Sequence, residues 1–157
     1  MKIIGNGGHA KVIAPIIESY GIGYFPYNAG FIAIGDNKAR KREAKLNDDL
    51  RFPVLVSPAA IVSKDAFIGE GTVIMAGVIV QPGVRIGCHV ILNTSCSVDH
   101  DCVIEDYVHI APGAHLCGDV HIGEGTLVGV GVGIAPGTRI PSWCVVKAAR
   151  LDICPTM

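Results

Sequence analysis

The sequence predicts a mainly β fold, a chain wound into a triangular prism of about five coils, preceded by a small α/β unit. Three observations predict it. Sixteen aliphatic residues stand at strict six-residue intervals without a slip: Val56, Val62, Ile68, Ile74, Val80, Ile86, Leu92, Val98, Ile104, Ile110, Leu116, Ile122, Val128, Ile134, Ile140 and Val146. Four residues after these comes a second register that is small or β-branched and never charged, running from Ala60, Ala66 and Thr72 through Cys96 and Cys102 to Thr138 and Cys144. Before Phe52-Pro53 the pattern is different, a strand, a loop and a helix, twice over. A period of six belongs neither to a helix nor to an ordinary strand, whereas one hexad per face of a prism requires it.

Taken in order, Lys2-Ile3-Ile4 reads as a short strand and Gly5-Asn6-Gly7-Gly8-His9 as a glycine loop. Ala10 to Tyr20 reads as a helix with apolar spacing at Val12, Ile13, Ile16 and Ile17. Phe31 to Ile34 is a second strand, Gly35-Asp36-Asn37 a loop and N-cap, and Lys38 to Leu46 a polar-faced helix. This alternation is α/β and suggests a Rossmann-like unit over residues 1–53. The unit is shortened, because Gly21 to Gly30 has no room for a third strand and helix. Residues 54–157 form the prism. In it the large residue points inward from each flat face, the small one fills the corner, and coils stack at roughly the ~4.8 Å strand spacing. Gly69-Glu70-Gly71, Pro82-Gly83, Gly123-Glu124-Gly125 and Pro136-Gly137 supply the turns.

The net charge of −1 argues against a nucleic-acid or acidic-membrane surface. The basic run from Lys38 to Lys45 reads as a solvated helix face. No signal peptide or membrane span is expected, since Met1 to Ile4 is too short an apolar run. The six cysteines lack metal-type spacing, and Cys96, Cys102 and Cys144 fall in the small inward slot, as free thiols acting as small hydrophobes. A reducing, cytoplasmic setting follows.

The core of such a prism is apolar and closed, so chemistry belongs on its outside. The groove between two prisms is deeper than any single flat face, which points to a homo-oligomer, and three-fold symmetry suits a triangular body. The glycine loop offers backbone N–H groups that can cradle a phosphate, against the plain alternative of a tight turn. His100 stands between Asp99 and Asp101, two places after an inward aliphatic, and so projects outward near a corner. A carboxylate that accepts one ring N–H leaves the other nitrogen free to take a proton, as acyl transfer from a thioester needs; the alternative is a surface histidine beside solvated aspartates. His109, His115 and His121 are six apart, hence on three different faces, and cannot converge on a metal within one chain. His100 and His109 can meet only between subunits. No metal site is expected.

The hexads, with Ile4-Gly5-Asn6-Gly7-Gly8-His9-Ala10-Lys11 at the start and Phe31-Ile32-Ala33-Ile34-Gly35-Asp36-Asn37 ahead of the prism, resemble the sialic-acid O-acetyltransferase and UDP-4-amino-sugar N-acetyltransferase family. Those enzymes are left-handed parallel β-helix, hexapeptide-repeat acyltransferases. The resemblance implies a left-handed winding and a cytoplasmic homotrimer using acetyl-CoA, with active sites between neighbouring prisms. It implies that His100 is the general base and that Asp101 orients it. Asn93 would line the acceptor site, and His109 and Gly118 would contact the thioester end of acetyl-CoA. Gly7, Gly8 and His9 would cradle a nucleotide-sugar acceptor, with Asp36 and Asn37 in a second acceptor loop. The chain departs from the family in two places. It lacks roughly one βα unit before Phe31, and it has Lys147-Ala148-Ala149-Arg150 where the family carries a Gly-Val-Pro-Ala-Lys tail.

The expected function is therefore acetyl transfer from acetyl-CoA to an amino or hydroxyl group of a nucleotide-linked sugar, by direct transfer with a His general base and not through an acyl-enzyme, because no Ser or Cys is paired with His100 in the sequence. The alternative is a catalytically impaired trimeric scaffold or nucleotide-sugar-binding protein on the same fold.

Overall fold

The computed structural model describes residues 1–21 and 23–147. The tail at 148–150, and with it the end of the expected prism domain, lies outside the described residues. The N-terminal part runs β1 (Lys2–Ile4), α1 (Gly8–Ser19), β2 (Gly30–Ile32) and α2 (Asn37–Leu46). β1 and β2 pair in parallel, Ile3 opposite Phe31, and form a sheet of two strands. Asp36 caps α2 by accepting the Ala39 N–H at 2.7 Å. In place of a further strand and helix, Tyr20, Tyr24 and Phe25 pack on one another, and Phe25 packs edge-on against Phe31 at 5.0 Å. No helix among the described residues is long and apolar enough to cross a membrane.

From Leu55 the chain winds as a parallel β-solenoid of about five turns. The first face carries Leu55–Val56, Val73–Ile74, Ile91–Leu92, His109–Ile110, Leu127–Val128 and Val145–Val146; the second and third faces carry five two-residue strands each. Partners are eighteen residues apart, as with Ser97 opposite His115 and His109 opposite Leu127. One hydrophobic cluster runs from Ile74 to Ile134 through both registers, with Val90, Cys96, Cys102, Val108 and Ala114 fully buried. Each large aliphatic removed from water contributes roughly 1.5–3 kcal/mol. Thr72 and Thr126 occupy the same slot at no cost in unpaired hydroxyls. Thr72 donates to the Gly87 carbonyl at 2.8 Å and accepts the Val90 N–H; Thr126 does the same with Pro141 and Cys144.

A third hexad register emerges from the backbone. Every sixth residue from Gly71 to Trp143 has a positive φ between 54° and 75°. Glycine takes this position seven times, but His89, Ser95, Asp101, Tyr107, Asp119 and Trp143 hold it as well. Each of those six bears a backbone cost of about 1 kcal/mol that glycine avoids.

The N-terminal part lies on the first face. Ile13, Ile16 and Ile17 of α1 share a buried cluster with Phe31, Leu55, Val73, Met75 and Ile91. α2 lies along the edge between the third and first faces, and here the expectation of a solvated basic face fails at Arg40. Its side chain is 1% exposed. The guanidinium donates to the carbonyls of His89 (2.8 Å), Tyr107 (2.7 Å), Ile34 (3.1 Å) and Gly35 (3.2 Å), and to Asn37 Oδ1 (2.8 Å). Turn carbonyls at a solenoid edge have no further strand to bond, and a planar five-donor fork satisfies several at once. Burial lowers its pKa to about 10, with Asp36 opposing the shift. Lys41 makes an ion pair with Glu124 from the same helix.

Candidate active site

The residues expected to carry function fall into two groups on opposite sides of the prism. The first is at the edge between the second and third faces. The strand Ser97–Val98 ends there, and His100 follows in the turn. His100 is exposed, its Nδ1 lies 2.9 Å from Asp101 Oδ2, and Asp99 Oδ1 accepts the His100 backbone N–H at 2.8 Å. The two flanking carboxylates thus divide the work: Asp99 ties the backbone and Asp101 ties the ring. The hydrogen bond that the ring donates to Asp101, followed by the charge of Asp99, raises the His100 pKa above its usual value. Asp101 holds one of the positive-φ positions, at 60°. Gly118, one coil further on, lies under the ring, where a Cβ would come within 2.6 Å of His100 Cε1 and Nε2. Its N–H finds no acceptor among the described residues.

The second group lies where the N-terminal part meets the first face. His109 is 8% exposed. Asn93 Oδ1 accepts the Thr94 N–H at 2.8 Å, which orients its amide so that Nδ2 donates to His109 Nε2 at 3.1 Å. The His109 Nδ1–H then donates to the Gly35 carbonyl at 3.2 Å. Burial, with the charge of Arg40, holds this imidazole neutral with a pKa of about 4. The His9 ring stands edge-on to His109 at 5.5 Å and presses against Gly35, where a Cβ would approach to 2.6 Å. His9 Nε2 is buried without a hydrogen-bond partner among the described residues.

Gly7 and Gly8, at the start of α1, need no glycine for the fold. A Cβ at either meets nothing within 4 Å, and neither has a positive φ, whereas Gly5 has φ 109° and sits against the Ala33 carbonyl. Bare backbone at a helix N-terminus leaves its N–H groups open to an anion. Asp36 is exposed and Asn37 is buried, the latter donating to the Gly125 and Thr126 carbonyls at 3.0 and 3.2 Å.

His109, His115 and His121 do lie on three faces. Among the described residues no group of three or more His, Cys, Asp or Glu side chains is placed to hold a metal. Burial pushes the Cys96 thiol up to about 12 and also raises Cys102, so neither is a ready nucleophile. One pair had no signal in the hexads: Ser97 and His115, stacked on the second face with Oγ and Nδ1 2.8 Å apart. Their eighteen-residue spacing is the signal that finds them. Nor does the sequence single out Arg40 within the basic run, because nothing in a basic helix marks which cation is buried.

The family model for bacterial transferase hexapeptide (six repeats) matches residues 101–136. Among curated proteins, none matches the sequence. Among solved structures, the acetyltransferase domain of PglB from Neisseria gonorrhoeae is 33% identical, with a TM-score of 0.83 over 92% of this chain and 86% of that one. The same domain has been solved with acetyl coenzyme A. A histidine-to-asparagine mutant of perosamine N-acetyltransferase from Caulobacter crescentus, in complex with CoA and GDP-perosamine, is 30% identical, with a TM-score of 0.87 over 92% of this chain and 83% of that one. WeeI from Acinetobacter baumannii, at 22% identity and a TM-score of 0.68, shares the fold. With the hexad model matched and two such likenesses spanning most of each chain, this protein belongs to the hexapeptide-repeat transferases and is an acyltransferase.

Proposed function

We propose that this chain transfers the acetyl group of acetyl-CoA to an amino group of a nucleotide-linked sugar, with His100 as the general base. The observation that carries the reading is the His100–Asp101 pair, in which one ring nitrogen is held at 2.9 Å by a carboxylate and the other is left free over Gly118. His100 Nε2 takes the proton as the acceptor nitrogen attacks the thioester carbonyl. The Gly118 N–H stabilises the oxyanion, and the C–S bond breaks to release CoA, which takes up the proton. Support for the donor and acceptor comes from the relatives solved with acetyl coenzyme A and with GDP-perosamine. The perosamine enzyme's name favours an amine over a sialic-acid hydroxyl as acceptor.

The acceptor side of the reading consists of Gly7, Gly8 and His9, with Asp36, Asn37 and Asn93. These stand on the first face, while His100, Asp101 and Gly118 stand at the opposite edge. A complete site therefore takes residues from two copies, which supports a homotrimer. Exposed Ile61, Phe67 and Ile79 on the second and third faces offer apolar surface for that contact. In such an assembly, His109 reaches the thioester end only beside a neighbour's Gly118; within its own chain it braces the Gly35 loop. The reading also takes residues 1–53 as a Rossmann-like acceptor domain, 54–157 as the acyltransferase domain, the winding as left-handed, and the setting as cytoplasmic. Parallel β1 and β2 joined through α1 support the first, and the free thiols of Cys96 and Cys102 suit the last.

The test is CoA release with UDP- and GDP-linked 4-amino sugars and with sialic acid as acceptors. Turnover is expected with an amino sugar and a loss of about 10²–10⁴-fold in His100→Ala. Undiminished turnover in that variant, or turnover with sialic acid alone, would overturn the assignment.

A further inference from the structure

The edge between the third and first faces carries a column of positive-φ residues eighteen apart: Gly71, His89, Tyr107, Gly125 and Trp143. The middle of this column is filled. His89 and Tyr107 stack at 5.3 Å with 5° between their planes, and Phe52 closes the lower side of His89 at 4.9 Å. Trp143, two coils above Tyr107, has no aromatic partner among the described residues. It packs over Gly125, which has no side chain to block it, with the Lys41 ammonium 5.2 Å from its ring centre. A large side chain at φ 60° is an uncommon choice where glycine serves at seven neighbouring positions. Its indole is 37% exposed and forms a wall of a cleft of about 320 Å³.

The chemistry of that cleft is two-sided. Leu127 and Val145 of the first face make an apolar floor beside the indole, while Asp36, Asn37 and Lys38 from the start of α2 make a polar rim. The volume lies within the usual ~300–1,000 Å³ of small-ligand sites. A flat aromatic wall, an aliphatic floor, a carboxylate to accept ring or ribose donors and a lysine for a phosphate together suit a nucleoside phosphate. We infer that the cleft between Trp143 and the Asp36–Lys38 turn binds the base of the nucleotide-linked acceptor. The inference rests on the acceptor being a nucleotide sugar. It gives the base a seat on the solenoid edge in a chain whose N-terminal sheet has only two strands. Adenine of CoA has the same stacking chemistry, so the experiment separates the two sources.

Trp143 is the only tryptophan of the chain, so its fluorescence reports on this cleft alone. The full-length protein is titrated with UDP, GDP, inorganic pyrophosphate, and adenosine 3′,5′-bisphosphate as the CoA probe. Saturable quenching by UDP or GDP, and none by pyrophosphate, is the expected result. Trp143→Ala is expected to raise the acceptor KM about tenfold, more than the acetyl-CoA KM, and Trp143→Phe to restore most of it. Quenching by the adenosine bisphosphate alone assigns the cleft to CoA and overturns the inference. Absence of quenching by any nucleotide, with turnover on a nucleotide sugar intact, overturns it while leaving the proposed function standing. Quenching by UDP or GDP without turnover on any sugar overturns the proposed function and leaves the nucleotide cleft.

Discussion

The imidazole of His100 lies across the backbone of Gly118, eighteen residues on and one coil away, so closely that a methyl group at 118 would stand 2.6 Å from its Nε2. The φ of Gly118 is not positive, and glycine is therefore required there for space and not for backbone freedom. Gly118→Ala is expected to push the ring aside and lower kcat about 10²-fold with little change in urea midpoint, since a misplacement of about 1 Å at a reacting group has that order of effect. Steady-state kinetics beside a denaturation curve checks it.

Asp101 sets the protonation of His100. A base works unprotonated, and the hydrogen bond that the ring donates to Asp101 raises the His100 pKa, so activity falls as pH drops through that raised value. Asp101→Asn removes the charge and keeps a side chain tolerated at φ 60°. The acid limb of kcat/KM is expected to move to lower pH while the plateau falls, because a less basic imidazole is a weaker proton acceptor. A pH–rate profile of the two proteins reads both changes. Asp101→Gly should lose activity too, yet gain about 1 kcal/mol of stability by relieving the left-handed backbone.

Buried neutral histidines give the fold its acid sensitivity. His89 and His109 are both lowered to about 4, chiefly by burial and then by the charge of Arg40. For a group depressed in this way the unfolded chain binds its proton first. Stability is thus unaffected above the unfolded value near 6.5 and declines as pH falls from there to about 4, by on the order of 2–3 kcal/mol for each histidine. Urea midpoints measured between pH 7 and pH 4 should fall steadily, and less steeply in His89→Phe.

Arg40 joins α2 to the solenoid by donating to the carbonyls of His89, Tyr107 and Val108, and it also ties the carbonyls of Ile34 and Gly35 and the Asn37 side chain. Arg40→Met keeps much of the side-chain volume and strands those carbonyls, at an expected cost of about 3–5 kcal/mol. Arg40→Lys should recover only part of it, since an ammonium cannot span the same fork. Thermal denaturation of the three proteins measures the ranking.

The hexads made the solenoid, its inward residues and the outward placement of His100 legible, because a six-residue period sorts every side chain by face. The positive-φ register was half hidden. Glycine marks it at Gly71, Gly77 and Gly83, but His89, Asp101 and Trp143 carry no such mark, and their conformation is dictated by the coils above and below. The burial of Arg40 is hidden for a related reason: it depends on carbonyls of His89 and Tyr107, 49 and 67 residues away. The strand at Phe31 begins one residue earlier and ends two sooner than the apolar run, since Ile4 closes the pairing with Ile32. Long-range pairing, not local propensity, decides all of these.

In the proposed assembly His100 and the glycine loop of one site belong to different chains. Gly7→Asp tests it well, because the new side chain meets nothing in the fold, favours the helix start as an N-cap, and repels a phosphate. His100→Ala and Gly7→Asp proteins, each inactive alone, are unfolded together in equal amounts, refolded, and assayed for CoA release with acetyl-CoA and a nucleotide-linked amino sugar. If sites are shared between copies, random assembly restores about a quarter of wild-type activity. Activity no greater than that of the two parents, in mixtures shown to have exchanged subunits, would mean that no site is shared between copies.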